Sequence, residues 1–254
     1  AGAGLDQAQA VQGKAARVER LYQVAHAADS GTVTLASSGA YRSVASASRR
    51  ARSRSSKAGK SRASAGLSAR WFPHIDAAMK EFGITAVNDQ AMFIAQVGHE
   101  SAGFTSLAES FNYSVEGLKK TFGKRLTPYQ CEMLGRVDGK QVAHQPQIAN
   151  LVYGDRMGNN SQGDGWKYRG RGLLQITGRE NYAKCGAALK IDLISTPELL
   201  AKEKHAARSA AWYFTLRGCL LYSGDVERVT QIINGGQNGI KDRRERYAKA
   251  KAAL

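Results

Sequence analysis

The sequence predicts a mostly helical domain over residues 67–254, preceded by a basic low-complexity segment over residues 1–66. Three observations predict it. Apolar side chains recur at helical spacing from residue 69 onward, beginning with Trp71, Phe72, Ile75, Met79 and Phe82. Glycine and proline punctuate these runs where helices start and stop. Strand signals are few, the best being Leu173-Leu174-Gln175-Ile176-Thr177 between glycine-rich stretches.

Taken in order, residues 5–28 have helix-forming composition and make one marginal helix at most. Residues 43–68 are almost wholly Ala, Ser, Gly, Arg and Lys, with Val44 and Leu67 as the larger apolar side chains, and read as a disordered basic linker. The helix carrying Trp71 to Phe82 stops at Gly83, and Asn88 is placed to cap the next one, which ends near Glu100. Thr127-Pro128 and Thr196-Pro197 each read as an N-cap followed by proline at the first helical position, with Gly135 closing the former. Further helices are expected near 146–153, 179–189, 203–216, 225–233 and 239–252.

A hydrophobic fraction of 43% with 23% charged residues is ordinary for a soluble globular protein, and no apolar run is long enough to span a membrane. The net charge of +16 is uneven, because residues 1–70 hold 12 Lys and Arg against Asp6, Glu19 and Asp29. Such a chain is drawn to polyanions, which include nucleic acid, anionic membranes and bacterial walls. Cys131, Cys185 and Cys219 form no C-x-x-C pair, so neither a disulfide framework nor a zinc site is expected, and folding in a reducing cytoplasm is. No signal-peptide pattern is visible.

The chemistry-bearing residues begin with Glu100, an ionisable carboxyl closing the apolar run 91–100. A carboxyl moved toward apolar surroundings loses solvation of its anion and is ready to donate a proton. Glu109 follows nine residues later. On one continuous helix the two would lie on opposite faces, so they converge only if the helix breaks at Ser101-Ala102-Gly103. Two convergent carboxyls suit glycoside hydrolysis.

The segment 163–178 sets glycines at 163, 165, 170, 172 and 178 around Trp166, Tyr168, Arg169 and Arg171. Glycines let backbone approach a ligand, aromatics stack on sugars, and Gln175 and Thr177 share a face if the segment is a strand. Phosphate-cradle motifs are absent, and the H-E-x-x-H zinc pattern begun at His99-Glu100 fails because position 103 is Gly103. No metal or other cofactor is expected. Arg243, in the basic run 242–247 after Asn234-Gly235-Gly236, is placed to balance either Glu100 or Glu109.

Together these segments resemble family 19 glycoside hydrolases, the lysozyme-like fold of chitinases and of a group of phage endolysins. The matching pieces are Gly98-His99-Glu100-Ser101, the run from Tyr168 to Thr177 with Asn181-Tyr182, Ile232-Ile233-Asn234-Gly235-Gly236, and Asp242-Arg243 before Tyr247. The endolysin branch is the better match, through 69–75, 111–114, 156–160 and 207–212. The resemblance implies a bilobal helical α+β fold with a catalytic groove. It implies Glu100 as general acid, Thr177 as a hydroxyl holding the attacking water, and Gln175, Asn181, Tyr182 and Asn234 at substrate-binding positions, with Tyr168 in the same segment and Arg243 supporting the acid. Glu109 as base rests on the endolysin-type arrangement. The chitinases carry a glutamate shortly after their Asn-Gly-Gly turn, where this chain has Gln237-Asn238, so the network around the acid is expected to differ.

The activity implied is inverting hydrolysis of the N-acetylmuramic acid to N-acetylglucosamine bond of peptidoglycan, with host lysis. Residues 114–145 are expected to form a small inserted lobe that grips the wall. The expected protein is a monomer made in the host cytoplasm that reaches the periplasmic wall through a holin, without stable membrane insertion and without nucleic acid as principal partner. Three rivals stay open: a chitinase, a lytic transglycosylase needing only Glu100, and a polyanion-binding protein whose working part is the basic N-terminal segment.

Overall fold

The structure is a computed structural model that describes residues 35–37, 41–43 and 57–254, with side chains at 66, 67 and from 69 onward. The helix expected over 5–28 lies outside the described residues. Leu35–Ser37 (β1) and Tyr41–Ser43 (β2) pair antiparallel, with Leu35 opposite Ser43. The rest is helical: α1 (Lys57–Glu81), α2 (Val87–Glu100), α3 (Val115–Phe122), α4 (Pro128–Leu134), α5 (Gln145–Tyr153), α6 (Asp164–Lys167), α7 (Arg179–Leu189), α8 (Glu203–Leu216), α9 (Val226–Asn234) and α10 (Ile240–Ala253). Short 3₁₀ helices at Pro197–Ala201 and Cys219–Tyr222 flank α8.

The first helix corrects the expected boundary. It starts at Lys57, inside the stretch read as a disordered linker, and runs without a break past residue 67. Ala58, Ala63 and Ala65 are strong helix formers, and a helix already anchored by Trp71 and Ile75 adds turns without a new nucleation cost. Gly83, at φ +71°, ends the turn after α1 as expected.

Three apolar cores organise the described residues. The largest joins α1, α2, α8, α9 and α10 through Trp71, Met79, Phe93, Val97, Phe214, Val229 and Ile233. A second lies under α3, α4 and α5, built on Phe111, Leu118, Phe122, Cys131, Ile148 and Val152. The expected lobe over 114–145 therefore has a core of its own, but that core takes in Phe111 and the buried face of α5 as well. A third core sits between α7 and the 3₁₀ turn before α8, with Tyr168, Ile176, Tyr182, Leu189 and Leu200.

Punctuation is partly as expected. Thr127 and Gln130 form a reciprocal capping box at α4, which Gly135 closes. Asn88 does not cap α2; Ala86 holds that position, and Asn88 instead accepts a hydrogen bond from the Tyr247 hydroxyl at 3.3 Å. At Thr196 the proline starts a 3₁₀ turn, and the hydroxyl donates to the Asp192 carbonyl rather than capping.

The expected strand over 173–177 is not one. Arg171 and Ile176 bridge to each other antiparallel, so residues 172–175 form a tight turn, with Gly172 at φ +84° and Gln175 at φ +50°. The apolar pair Leu173 and Leu174 plugs the largest core from the tip of that turn. Burial, not pairing along a sheet, accounts for its hydrophobicity.

Candidate active site

Glu100 is the last residue of α2, and the chain breaks after it as the sequence requires. The Ser101 side chain donates to the Val97 carbonyl at 2.6 Å and accepts from Phe104 N–H at 2.8 Å, while Ala102, Gly103 and Phe104 all take positive φ. Left-handed backbone at two non-glycine residues is costly, so the surroundings must hold it in place. Phe104 does so by packing 5.4 Å from the Trp71 ring.

Glu100 is only 6% exposed and ion-pairs with Arg243, a wholly buried residue of α10. The apolar surroundings expected for the carboxyl therefore include a guanidinium at its head. Arg243 reaches it because α10 packs along α2, and its remaining donors are used locally. One goes to the Gln96 side-chain carbonyl, one turn before Glu100, and Nε goes to the Asn238 backbone carbonyl at 3.0 Å. Both of these partners are neutral.

A second pair links the same helices alongside the first. His99 Nδ1 lies 2.6 Å from Asp242 Oδ2, which also accepts from Arg246 Nε at 2.7 Å. These two bonds hold the Asp242 carboxyl below its usual range against the opposing effect of burial. The approach is close enough that Gly239, at φ +71°, has no room for a side chain: a Cβ there would fall on the His99 ring. Gly98 is similarly tight against Arg246, with 3.2 Å between a built Cβ and Nη1.

Glu109 follows the turn that the break makes, and it too has partners. Its N–H donates to the Gly170 carbonyl at 2.8 Å, and its Oε2 accepts from Gly170 N–H at 3.2 Å. The Tyr153 hydroxyl, at the end of α5, donates to the carboxylate at 2.8 and 2.9 Å from its two oxygens. Burial among these groups pushes the Glu109 carboxyl above its usual range, with the Tyr153 and Gly170 bonds pulling the other way.

Gly170 is where the parts meet. A Cβ built on it would stand 2.7 Å from Gln175 Oε1, 3.1 Å from Glu109 Oε2 and 3.2 Å from Thr177 Oγ1. Three oxygens thus close in on the Gly170 Cα, and the missing side chain is what lets them come so near. Gln175 and Thr177 reach it from a turn and not from a strand face. Gln175 is tied by its own Nε2 to the Gly172 carbonyl, and Thr177 Oγ1 donates to the Gln175 carbonyl.

Residues 140–219 match the sequence profile of glycoside hydrolase family 19, described as chitinase class I. The chain is also 41% identical over 187 residues to a "Glycosyl hydrolase family 19 domain-containing protein" of Haemophilus influenzae, covering 69% of this chain and 89% of that relative. The chain belongs to glycoside hydrolase family 19.

Shorter similarities to this family 19 enzyme fall on plant proteins. "Endochitinase 1" of Theobroma cacao is 40% identical over 50 residues, 20% of this chain and 16% of its own length. Chitinase C from Streptomyces griseus, a solved structure, aligns over 71% of this chain and 67% of its own, at 18% identity and a TM-score of 0.43. As a family 19 glycoside hydrolase, the enzyme acts on a glycan.

Two expected sugar-contacting aromatics of the hydrolase are core residues. Tyr168 is 1% exposed, and its hydroxyl donates to the Ile194 carbonyl; Tyr182 is wholly buried, and its hydroxyl donates to the Arg169 carbonyl at 2.6 Å. Their rings meet edge to face at 5.3 Å, so neither offers a face to a sugar, and both support the turn from behind. Asn181 is exposed and donates to the Thr177 carbonyl at 2.8 Å, steadying the segment that carries the hydroxyl. Asn234 is buried at the end of α9, in the turn before α10.

The sequence reading missed Tyr153, Gln96 and Asn238. Gln96 had a usable signal, since an amide inside the apolar run 91–97 needs a partner. Tyr153 had none, because it reaches Glu109 across 44 positions. Asn238 contributes a backbone carbonyl, which no side chain announces.

Proposed function

We propose that the enzyme is an endolysin-type muramidase that hydrolyses the N-acetylmuramic acid to N-acetylglucosamine bond of peptidoglycan with inversion. The observation that carries this reading is the contrast between the two carboxyls. Glu100 faces a guanidinium, whereas Glu109 sits with a hydroxyl and an N–H, beside the Gln175 and Thr177 oxygens that gather around Gly170. Carboxyls with different surroundings are suited to different roles in one reaction.

In this mechanism Glu100 gives its proton to the glycosidic oxygen as the bond to the anomeric carbon breaks. A water between Glu109 and the sugar, hydrogen-bonded to Thr177 Oγ1 and Gln175 Oε1, gives its proton to Glu109 and adds to that carbon from the opposite face. Inversion needs space for this water, roughly 6.5 to 9.5 Å between the carboxyls. Arg243 keeps the Glu100 head fixed, Asn181 steadies Thr177, and Asn234 holds the substrate side of the α9 to α10 turn.

The basic surface suits an anionic wall. On the lobe, Tyr129, Met133, Val137 and Val142 are exposed beside Lys124, Arg125 and Lys140, which supports its role in gripping that wall. The enzyme acts as a monomer, made in the host cytoplasm and released to the wall through a holin, and its activity lyses the host.

NMR of the first-formed product tests the mechanism: the inverted anomer is expected, and a retained anomer rejects it. Clearing of permeabilised Gram-negative cells, set beside sugar release from chitin, tests the substrate. Chitinase activity is the second reading, favoured by the endochitinase names among the shorter similarities. A transglycosylase would leave an anhydro product lighter by one water, seen by mass spectrometry.

A further inference from the structure

The segment that carries Gly170 also carries two arginines, and they are used differently. Arg171 is 6% exposed, and its Nη1 donates to the Lys167 carbonyl at 2.6 Å and to the Tyr182 hydroxyl at 2.8 Å, so it belongs to the core. Arg169 is half-buried and lies flat on Trp166, its Cζ 3.6 Å from the ring centroid. Trp166 in turn packs edge to face on Phe111, 6.5 Å away, so the platform under the guanidinium is fixed by the second core.

Arg169 has donors to spare. Its Nη1 donates to the Trp166 carbonyl at 3.0 Å, while its Nε finds no acceptor among the described residues, and it joins none of the ion pairs described there. A buried N–H without a partner is uncommon enough to require a reason. The engaged Nη1 leaves the Nε and Nη2 edge, the side of the guanidinium that takes a carboxylate by two parallel hydrogen bonds. Burial and the like charge of Arg171 both weigh against its cation, with Glu109 the weakest influence in its favour, so an added anion would relieve the site.

Its position decides what that anion belongs to. Arg169 directly precedes Gly170, whose N–H holds Glu109 and around which the Gln175 and Thr177 oxygens gather. We propose that Arg169, stacked on Trp166, is the residue by which this hydrolase reads a carboxylate carried by its glycan. The inference rests on the peptidoglycan reading, because an N-acetylglucosamine homopolymer has no carboxylate to offer. Two sources share the chemistry: the lactyl ether of muramic acid once its peptide is removed, and the acidic residues of the stem peptide.

The test compares wild type with Arg169→Gln on four substrates: peptide-bearing murein, murein glycan stripped of peptide by an amidase, and each of these with its carboxylates amidated. For wild type, amidation is expected to lower kcat/KM about tenfold or more, chiefly through KM, as loss of a hydrogen-bonded charge pair does. Arg169→Gln is expected to lose the same factor on the carboxylate forms and nothing further on amidation. A loss on the stripped glycan assigns the lactyl carboxylate, and a loss confined to the peptide-bearing form assigns the stem peptide.

A variant that loses the same factor on native and amidated substrates overturns the proposal. So does a shift in the acid limb of its pH profile with no change in substrate preference, which would mean that Arg169 acts on Glu109 instead. A wild type that cuts chitin oligosaccharides and none of the four murein forms rejects the peptidoglycan reading itself, a result distinct from either. Should Arg169→Gln not fold, Arg169→Lys keeps the charge, loses the fork and is read on the same substrates.

Discussion

At Arg243, a single buried side chain bears on stability and, in the proposed mechanism, on chemistry. It is wholly buried, and among its described partners only Glu100 is charged. Removing one member of a buried pair strands the other, so Arg243→Met is expected to cost about 3–5 kcal/mol in urea unfolding, and the double variant with Glu100→Gln less than that. Glu100→Gln alone is expected to lower kcat by about 10²–10⁴ with the fold intact by circular dichroism, as loss of a general acid does. Glu109 makes a different prediction. Burial makes it hold its proton above the usual carboxylate range, so activity falls as pH drops through that raised value, and Tyr153→Phe, which removes a donor to the anion, moves this acid limb to higher pH. The same shift bears on stability. A carboxyl whose folded pKa is raised contributes fully below its unfolded value of about 4.3 and loses that contribution as pH rises through the folded one. Glu109→Gln is therefore expected to melt higher than wild type at neutral pH, an advantage that disappears below about pH 4.3. Much at this scale was unreadable in the sequence. The position of Glu100 could be read from its apolar run, and Arg243 from its place after the glycine turn, but not which carboxyl Arg243 would choose.

Helix boundaries were the most legible elements, because caps and breakers act locally. Thr127, Pro128, Gln130 and Gly135 together define α4, and Thr127→Ala is expected to cost about 1 kcal/mol in denaturant unfolding through loss of the capping box. The errors arose where tertiary contacts outweigh local preference. Residues 173–176 are apolar enough for a strand, yet glycines on either side let the chain close on itself, and Gln175 takes a left-handed conformation that its residue type does not announce. Tyr168 and Tyr182 look like sugar platforms in a glycine-rich run and are instead the packing beneath it. Between α2 and α10 the deciding residue is Gly239. Gly239→Ala combines positive-φ strain with a clash on the His99 ring, and is expected to lower stability by about 1–3 kcal/mol and to weaken catalysis through displaced α10, while Gly66→Ala, with open space around it, serves as the control.

Across the whole molecule, composition alone drew a boundary at residue 66 between a basic segment and a helical domain. The first helix passes through the expected boundary. Removing residues 1–56 is expected to leave Glu100-dependent hydrolysis in place, whereas removing 1–66 takes the first turns of α1 and should lower the melting temperature relative to the shorter deletion. The polyanion-binding reading expects the reverse of the hydrolase: deleting residues 1–66 abolishes function and Glu100→Gln does not. The pairing of α2 with α10 has a further consequence, one of timing. Glu100 and Arg243 are 143 positions apart, as are His99 and Asp242. During synthesis Glu100 and His99 emerge long before Arg243 and Asp242, so neither pair between α2 and α10 can form until residue 243 has been made and α10 has docked.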